Sequence, residues 1–154
     1  TKPKCSFCPI EDQCIANLQK TPTAYPEKKP RKALPRKETI FVIMHTADKE
    51  FFLQKRPQKG VWGGLWCFPE ITSFNMIEKW AHELGFTGVI NLNKLPIITH
   101  TFSHYKLYIE PVIISCKKTT NLNIKKDNWV WYNKQNPKRI GLPAPIVQLI
   151  DLIQ

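Results

Sequence analysis

Three groups of residues in this sequence carry side chains suited to chemistry. Cys5, Cys8 and Cys14 have the spacing C-x2-C-x5-C. Thiolates this close cannot all find disulfide partners, but they can share a soft metal centre. Zinc normally takes four ligands, and no fourth Cys or His lies nearby, so for the chain as given three unligated thiols is the favoured reading. The second group is His100-Thr101-Phe102-Ser103-His104. The Ser103 hydroxyl can accept and donate, and His104 offers a ring donor and acceptor near neutral pH. An aromatic such as Phe102 can wedge at a base step or brace a loop. Taken alone, the same string also describes an ordinary hairpin tip. The third group is acidic: Glu70 and Glu83. Carboxylates are the hard ligands magnesium requires, but Lys79 and His82 stand beside Glu83, and a lysine repels a divalent cation.

These groups need elements to hold them. Thr39 to Ala47 is rich in Ile, Val and Phe and reads as a buried strand. Asp48-Lys49 is a polar turn, and Phe51 to Lys55 completes a hairpin. Lys55 to Glu70, KRPQKGVWGGLWCFPE, is the stretch on which the chain is organised. Its glycines permit a tight turn beside a dense apolar load, and Pro69 ends the run. Ser73 is placed to cap a helix over 74–84 whose apolar face is Phe74, Ile77, Trp80, Ala81 and Leu84, closed by Gly85. Residues 95–101 and 104–115 read as two strands flanking the His100–His104 string, and 128–132 as another. Pro143 and Pro145 suit the first turn of a helix over about 144–153, with Ile146, Leu149, Ile150 and Ile153 as its stripe. The expected fold is therefore α+β, a mixed sheet flanked by helices near 74–84 and 144–153.

The chain has formal net charge +11, and residues 1–37 hold nine Lys/Arg against three Asp/Glu. That balance points to a polyanionic partner, DNA or RNA first. Residues 17–38 read as a basic linker: Pro22, Pro26, Pro30 and Pro35 stop helix and strand alike, and Lys28, Lys29, Arg31, Lys32, Arg36 and Lys37 carry its charge. No apolar run approaches the roughly 18 residues of a membrane span. The N-terminus is polar and Lys-rich, so no secretory signal is expected. Cys67 and Cys116 lie in apolar runs and are expected to be buried thiols, which with the absence of a disulfide framework suggests a cytoplasmic protein.

The motif R-P-x-x-G-x-W-G-G-L-W-C-F-P at 56–69, Phe102-Ser103-His104 between two strands and G-L-P-A-P at 141–145 resemble the C-terminal, Nudix-like domain of the MutY adenine DNA glycosylases. Cys5, Cys8 and Cys14 match the last three ligands of that family's 4Fe–4S loop, C-x6-C-x2-C-x5-C, whose first cysteine would fall upstream of Thr1. The resemblance implies a truncated cluster loop at 1–16, the linker at 17–38 and a lesion-recognition domain at 39–154. It also implies that Phe102, Ser103 and His104 probe 8-oxoguanine opposite adenine in duplex DNA, and that Lys2 and Lys4 approach the DNA backbone. The Nudix hydrolase box, G-x5-E-x7-R-E-u-x-E-E-x-G-u with u apolar, is degenerate here. Aligned on Gly85, only Glu83 survives of its three helical glutamates, and Glu70 matches only by its spacing from Gly64.

The expectation is thus a monomeric piece of a base-excision-repair protein, partnered by DNA and by its own helical catalytic domain. With that domain and the fourth thiolate missing from this chain, neither glycosylase activity nor a stable 4Fe–4S cluster is expected of it alone. Two other readings compete: a nucleoside diphosphate hydrolase with an unusual metal site, and an interaction module whose basic linker binds a protein.

Overall fold

The computed structural model describes residues 2–27, 33–86, 90–119, 122–123 and 125–153; Ile90 and Asn91 are described in their backbone only. The linker residues Lys28, Lys29, Pro30, Arg31 and Lys32 lie outside the described residues, as does Thr1. The chain divides into two compact units, Thr1–Ala33 and Leu34–Gln154.

The first unit is a series of single turns. Short 3-10 turns at Cys5–Phe7, Glu11–Gln13 and Pro22–Ala24 surround helix α1 (Ile15–Leu18). None of these elements buries a residue, and Phe7, Ile10, Ile15, Leu18 and Tyr25 are all exposed.

In the second unit the strands are β1 (Arg36–His45), β2 (Glu50–Lys55), β3 (Trp66–Cys67), β4 (Glu70–Ile71), β5 (Ile90–Lys94), β6 (Ile98–Thr101), β7 (Lys106–Ser115) and β8 (Trp129–Asn133). They form one mixed sheet of order β3-β2-β1-β7-β5, with β4 on β1, β6 on β7 and β8 on β2. Its centre is a parallel pair: β1 and β7 run in register from Arg36↔Lys106 to His45↔Ser115. A parallel strand is covered on both faces and so reads as a continuous apolar run. β1 obeys this, with Ile40 to Met44 all buried. Phe41 and Ile43 face one core, which Ile146, Leu149 and Ile150 of α3 (Ala144–Ile153) complete. Ile40, Val42 and Met44 face the other, completed by Ile77, Ala81 and Leu84 of α2 (Ile77–Leu84). The two expected helices are therefore present, one on each face.

Several local details differ from the sequence expectations. The helix over 74–84 begins as a 3-10 turn, Phe74–Met76, before α2 proper, and the Ser73 side chain caps nothing. Ser73 contributes its carbonyl instead, accepting the Met76 N–H at 3.1 Å. Gly85 closes α2 at φ 99°, and Phe86 beyond it donates to the Ala81 carbonyl and packs on Phe52, ring centroids 5.3 Å apart. β1 begins at Arg36, not Thr39, because Arg36, Lys37 and Glu38 pair with Lys106, Leu107 and Tyr108 of β7. Cys67 is buried as expected, and burial pushes its thiol up to about 12, partly offset by Arg56. Cys116 lies just past β7 and is only half-buried; burial pushes it up to about 11.

Candidate nucleic-acid interface

The β6–β7 hairpin places the first candidate site. Thr101↔Lys106 is its last register pair, and the Phe102 N–H donates to the Tyr105 carbonyl at 2.9 Å. Ser103 and His104 are left as the two residues of the tip, both exposed. The Ser103 hydroxyl and His104 Nδ1 lie 3.3 Å apart, so either can carry the shared proton. The three motif residues therefore do different work. Phe102 turns inward, with ring centroids 4.6 Å from His100, 4.7 Å from Tyr105 and 5.3 Å from Trp62. Aromatic pairs at these separations add about 0.5–1.5 kcal/mol each beyond their area burial. Phe102 thus braces the loop, while the Ser103 and His104 side chains are exposed at its tip.

Trp62 comes from the glycine-rich stretch and sits in the left-handed region at φ 56°. A bulky residue there stores about 1–3 kcal/mol of strain. The loop that holds it is tightly tied. Leu65 N–H donates to the Trp62 carbonyl at 3.0 Å, Arg56 Nε to the Val61 carbonyl at 3.0 Å, and Trp66 N–H to the Gly141 carbonyl at 3.0 Å. Gly63 is obligatory in this arrangement, since a Cβ would lie 2.3 Å from the Gln58 carbonyl oxygen. The Trp62 ring then reaches Phe41 (6.4 Å), His100 (5.6 Å) and Phe102 (5.3 Å), joining the loop to the core and the hairpin.

Sequence reasoning did not find Trp62 as part of the site, nor Tyr105, which packs under both Phe102 and His104 at 4.7 Å. The available signal for Tyr105 was its place directly after the motif at the start of an alternating strand. Beside the hairpin base, Lys37 lies over the Tyr105 ring at 4.5 Å and Arg36 over Tyr108 at 4.1 Å. An open cleft of about 840 Å³ runs from these residues to Trp62, Glu70 and Phe74.

The two carboxylates that match the hydrolase box have other partners. Glu70 is held by Arg56 Nη1 at 2.6 Å, and Glu83 faces Lys79 at 3.9 Å. Among the described residues no group of three His, Cys, Asp or Glu is placed to hold a metal ion. The same finding applies to Cys5, Cys8 and Cys14, of which Cys8 is exposed and the other two half-buried. As placed, these three are not gathered into such a group. Lys2 and Lys4 are exposed in the first unit.

The chain is 33% identical over 153 residues to an adenine DNA glycosylase of Buchnera aphidicola subsp. Acyrthosiphon pisum (strain APS), covering 97% of this chain and 42% of that protein. It is 30% identical over 168 residues to an adenine DNA glycosylase of Arabidopsis thaliana, covering 85% of this chain and 26% of the relative. This chain thus spans less than half the length of either. The fold resembles that of the C-terminal domain of mouse MUTYH, solved in complex with human PCNA, with TM-score 0.59 at 15% identity over 75% of this chain and 86% of that one. It also resembles the NUDIX domain of Shewanella oneidensis NrtR, solved with ADP ribose, with TM-score 0.57 at 13% identity over 85% and 94% of the two chains. The family model for the NUDIX domain matches residues 39–152. With its two-faced mixed sheet and a match over most of its length, the chain belongs to the NUDIX domain family.

Proposed function

We propose that this chain recognises 8-oxoguanine opposite adenine in duplex DNA, as the C-terminal part of an adenine DNA glycosylase acting in base excision repair. The observation that carries the reading is the hairpin tip: Phe102 is anchored on Trp62, His100 and Tyr105, while Ser103 and His104 are exposed, the His104 ring resting edge-on against Tyr105. The sequence similarity to adenine DNA glycosylases supports it.

The chemistry is specific. Guanine N7 is an acceptor in the major groove, whereas in 8-oxoguanine N7 carries a proton and C8 an oxygen. The Ser103 hydroxyl accepts that N7–H, and its own proton goes to O8 or a phosphate. Normal guanine offers the serine no such donor. His104, 3.3 Å from the serine hydroxyl, orients it.

On this reading residues 39–154 are the lesion-recognition domain, 17–38 the linker and 1–16 the end of a cluster loop. Lys2 and Lys4 approach the DNA backbone. Cys5, Cys8 and Cys14 ligate a 4Fe–4S cluster only in a longer protein that supplies a fourth thiolate and rearranges the present set. Glycosidic-bond cleavage belongs to a catalytic domain outside this sequence, and this chain alone cleaves nothing. It acts as a monomer in the cytoplasm, at the nucleoid; no helix among the described residues is long and apolar enough to cross a membrane. The pairing of Glu70 with Arg56 and of Glu83 with Lys79 weighs against nucleoside diphosphate hydrolysis.

Titration of labelled duplexes differing only in guanine or 8-oxoguanine opposite adenine tests the reading. Tighter binding of the oxidised duplex supports it. Equal binding of both, or magnesium-dependent phosphate release from nucleoside triphosphates, would replace it.

A further inference from the structure

Arg36 and Lys106 are Cα partners at the first register position of the parallel β1–β7 pair. Like charges directly opposite one another in a sheet destabilise it. Here they share one platform: Arg36 lies 4.1 Å and Lys106 5.4 Å from the Tyr108 ring centroid. On the opposite face of the same strand ends, Lys37 lies 4.5 Å over Tyr105. Arg36 has an ion-pair partner in Glu38 at 2.7 Å, with both side chains well exposed, while Lys37 and Lys106 have none among the described residues. Three cations held on two tyrosines at one end of the sheet form a rim whose repulsion an anion would relieve.

The rim is tied to the hairpin. Tyr105, beneath Lys37, is also the ring on which Phe102 and His104 pack. Lys106, the first residue of β7, is two residues from His104 at the tip, so their backbones lie within about 7 Å, the fully extended limit, which is the scale of a step along one nucleic-acid strand.

Resting on the functional reading above, we infer that Arg36, Lys37 and Lys106 form a phosphate-binding rim that grips the backbone beside the base touched by Ser103 and His104. The ligand is the phosphodiester backbone of duplex DNA, held without regard to sequence. Tyr105 and Tyr108 are positioning residues that fix the height and direction of the charges by cation–π contact. The division of labour follows from the geometry: the rim supplies affinity and register, and the tip supplies discrimination.

The test uses the chain in its wild-type form, an Arg36→Gln/Lys37→Gln/Lys106→Gln variant and Ser103→Ala, each binding 8-oxoguanine:adenine and guanine:adenine duplexes across a salt series. Each neutralised phosphate contributes a slope of about −0.9 in log K against log salt, so about threefold to fourfold per contact between about 50 and 200 mM salt. The triple Gln variant is expected to lose affinity for both duplexes by the same factor, with the slope shallower by about 2–3. Ser103→Ala is expected to keep the wild-type slope. A Lys37→Arg/Lys106→Arg variant, which keeps charge, controls for folding and is expected to keep the slope. An unchanged slope in the triple Gln variant, or equally tight capture of a polyglutamate peptide by the wild-type chain, overturns the rim. Wild-type binding with the rim's salt dependence but no preference for the oxidised duplex would leave the rim standing and remove the lesion reading. No duplex binding even at low salt would remove both.

Discussion

The ring of Trp62 lies 5.3 Å from that of Phe102, although forty residues separate them. The contact joins a glycine-rich loop, tied to the core by Phe41, to the hairpin that carries Ser103 and His104. Trp62 tolerates a left-handed backbone to make it. The loop therefore acts as a brace for the tip.

Removing the brace has two readable effects. Trp62→Ala deletes contacts with Phe41, His100 and Phe102 while leaving the backbone at φ 56°. Full burial of such a ring would set the cost at about 3–5 kcal/mol, and partial exposure lowers it to about 2–3. Urea unfolding should show that loss, and the variant should discriminate 8-oxoguanine less well because its hairpin is looser. A variant with native stability and native discrimination would mean that the tip holds itself.

Gly63→Ala should be more damaging than its size suggests. The new methyl would lie 2.3 Å from the Gln58 carbonyl oxygen, which is backbone and cannot swing away. The loop must open, at a cost of about 1–3 kcal/mol. Thermal denaturation checks this; an unchanged melting temperature would show that the loop adapts freely. Gly60→Ala meets no neighbour within 4 Å, and its cost comes from φ 101° alone.

Much of this was legible in the sequence, for identifiable reasons. β1 is covered on both faces, so its composition announced it, and the stripes of α2 and α3 matched the faces they bury. Arg36 to Glu38 read as linker because their charges obscured a strand held by backbone pairing to β7. β3 and β4, two residues each, are too short to show any period. The motif residues were identifiable, but not their division into an inward Phe102 and an outward pair. That division depends on Trp62, which only the sheet brings alongside. The metal-ligand spacing of Cys5, Cys8 and Cys14 was equally visible, yet spacing alone does not assemble them.

Cys67 gives a prediction in pH. Its thiol is raised by burial to about 12, so the folded chain keeps a proton that the unfolded chain releases near its ordinary value of 9.0. The stability held by neutral Cys67 is fully present below about 9 and is lost as pH rises towards about 12. Unfolding free energies measured from pH 8 to about 10.5 should fall, less steeply in Cys67→Ala. Matching slopes would show that another group titrates. In the native chain at neutral pH, iodoacetamide should label exposed Cys8 well before Cys67.

The Arg56–Glu70 pair should behave as structure. Arg56 also holds the Val61 carbonyl at 3.0 Å, so Glu70→Gln weakens the support of the Trp62 loop from below. A loss of about 1–2 kcal/mol is expected for this half-exposed pair, after discounting for solvent. Magnesium should not stabilise the wild-type chain. A magnesium-dependent rise in melting temperature that Glu70→Gln abolishes would instead make Glu70 a ligand.

The most direct test of lesion recognition is the binding of Ser103→Ala to duplexes carrying 8-oxoguanine:adenine and guanine:adenine, at one salt concentration and in the longest form of the protein that folds. Loss of the acceptor for N7–H should weaken binding of the oxidised mispair by about threefold to thirtyfold, since a neutral hydrogen bond nets about 0.5–1.5 kcal/mol and water can enter the interface. Binding of guanine:adenine, whose N7 has no proton to give, should stay put. Equal weakening of both duplexes, or of neither, would contradict a lesion-reading role for Ser103.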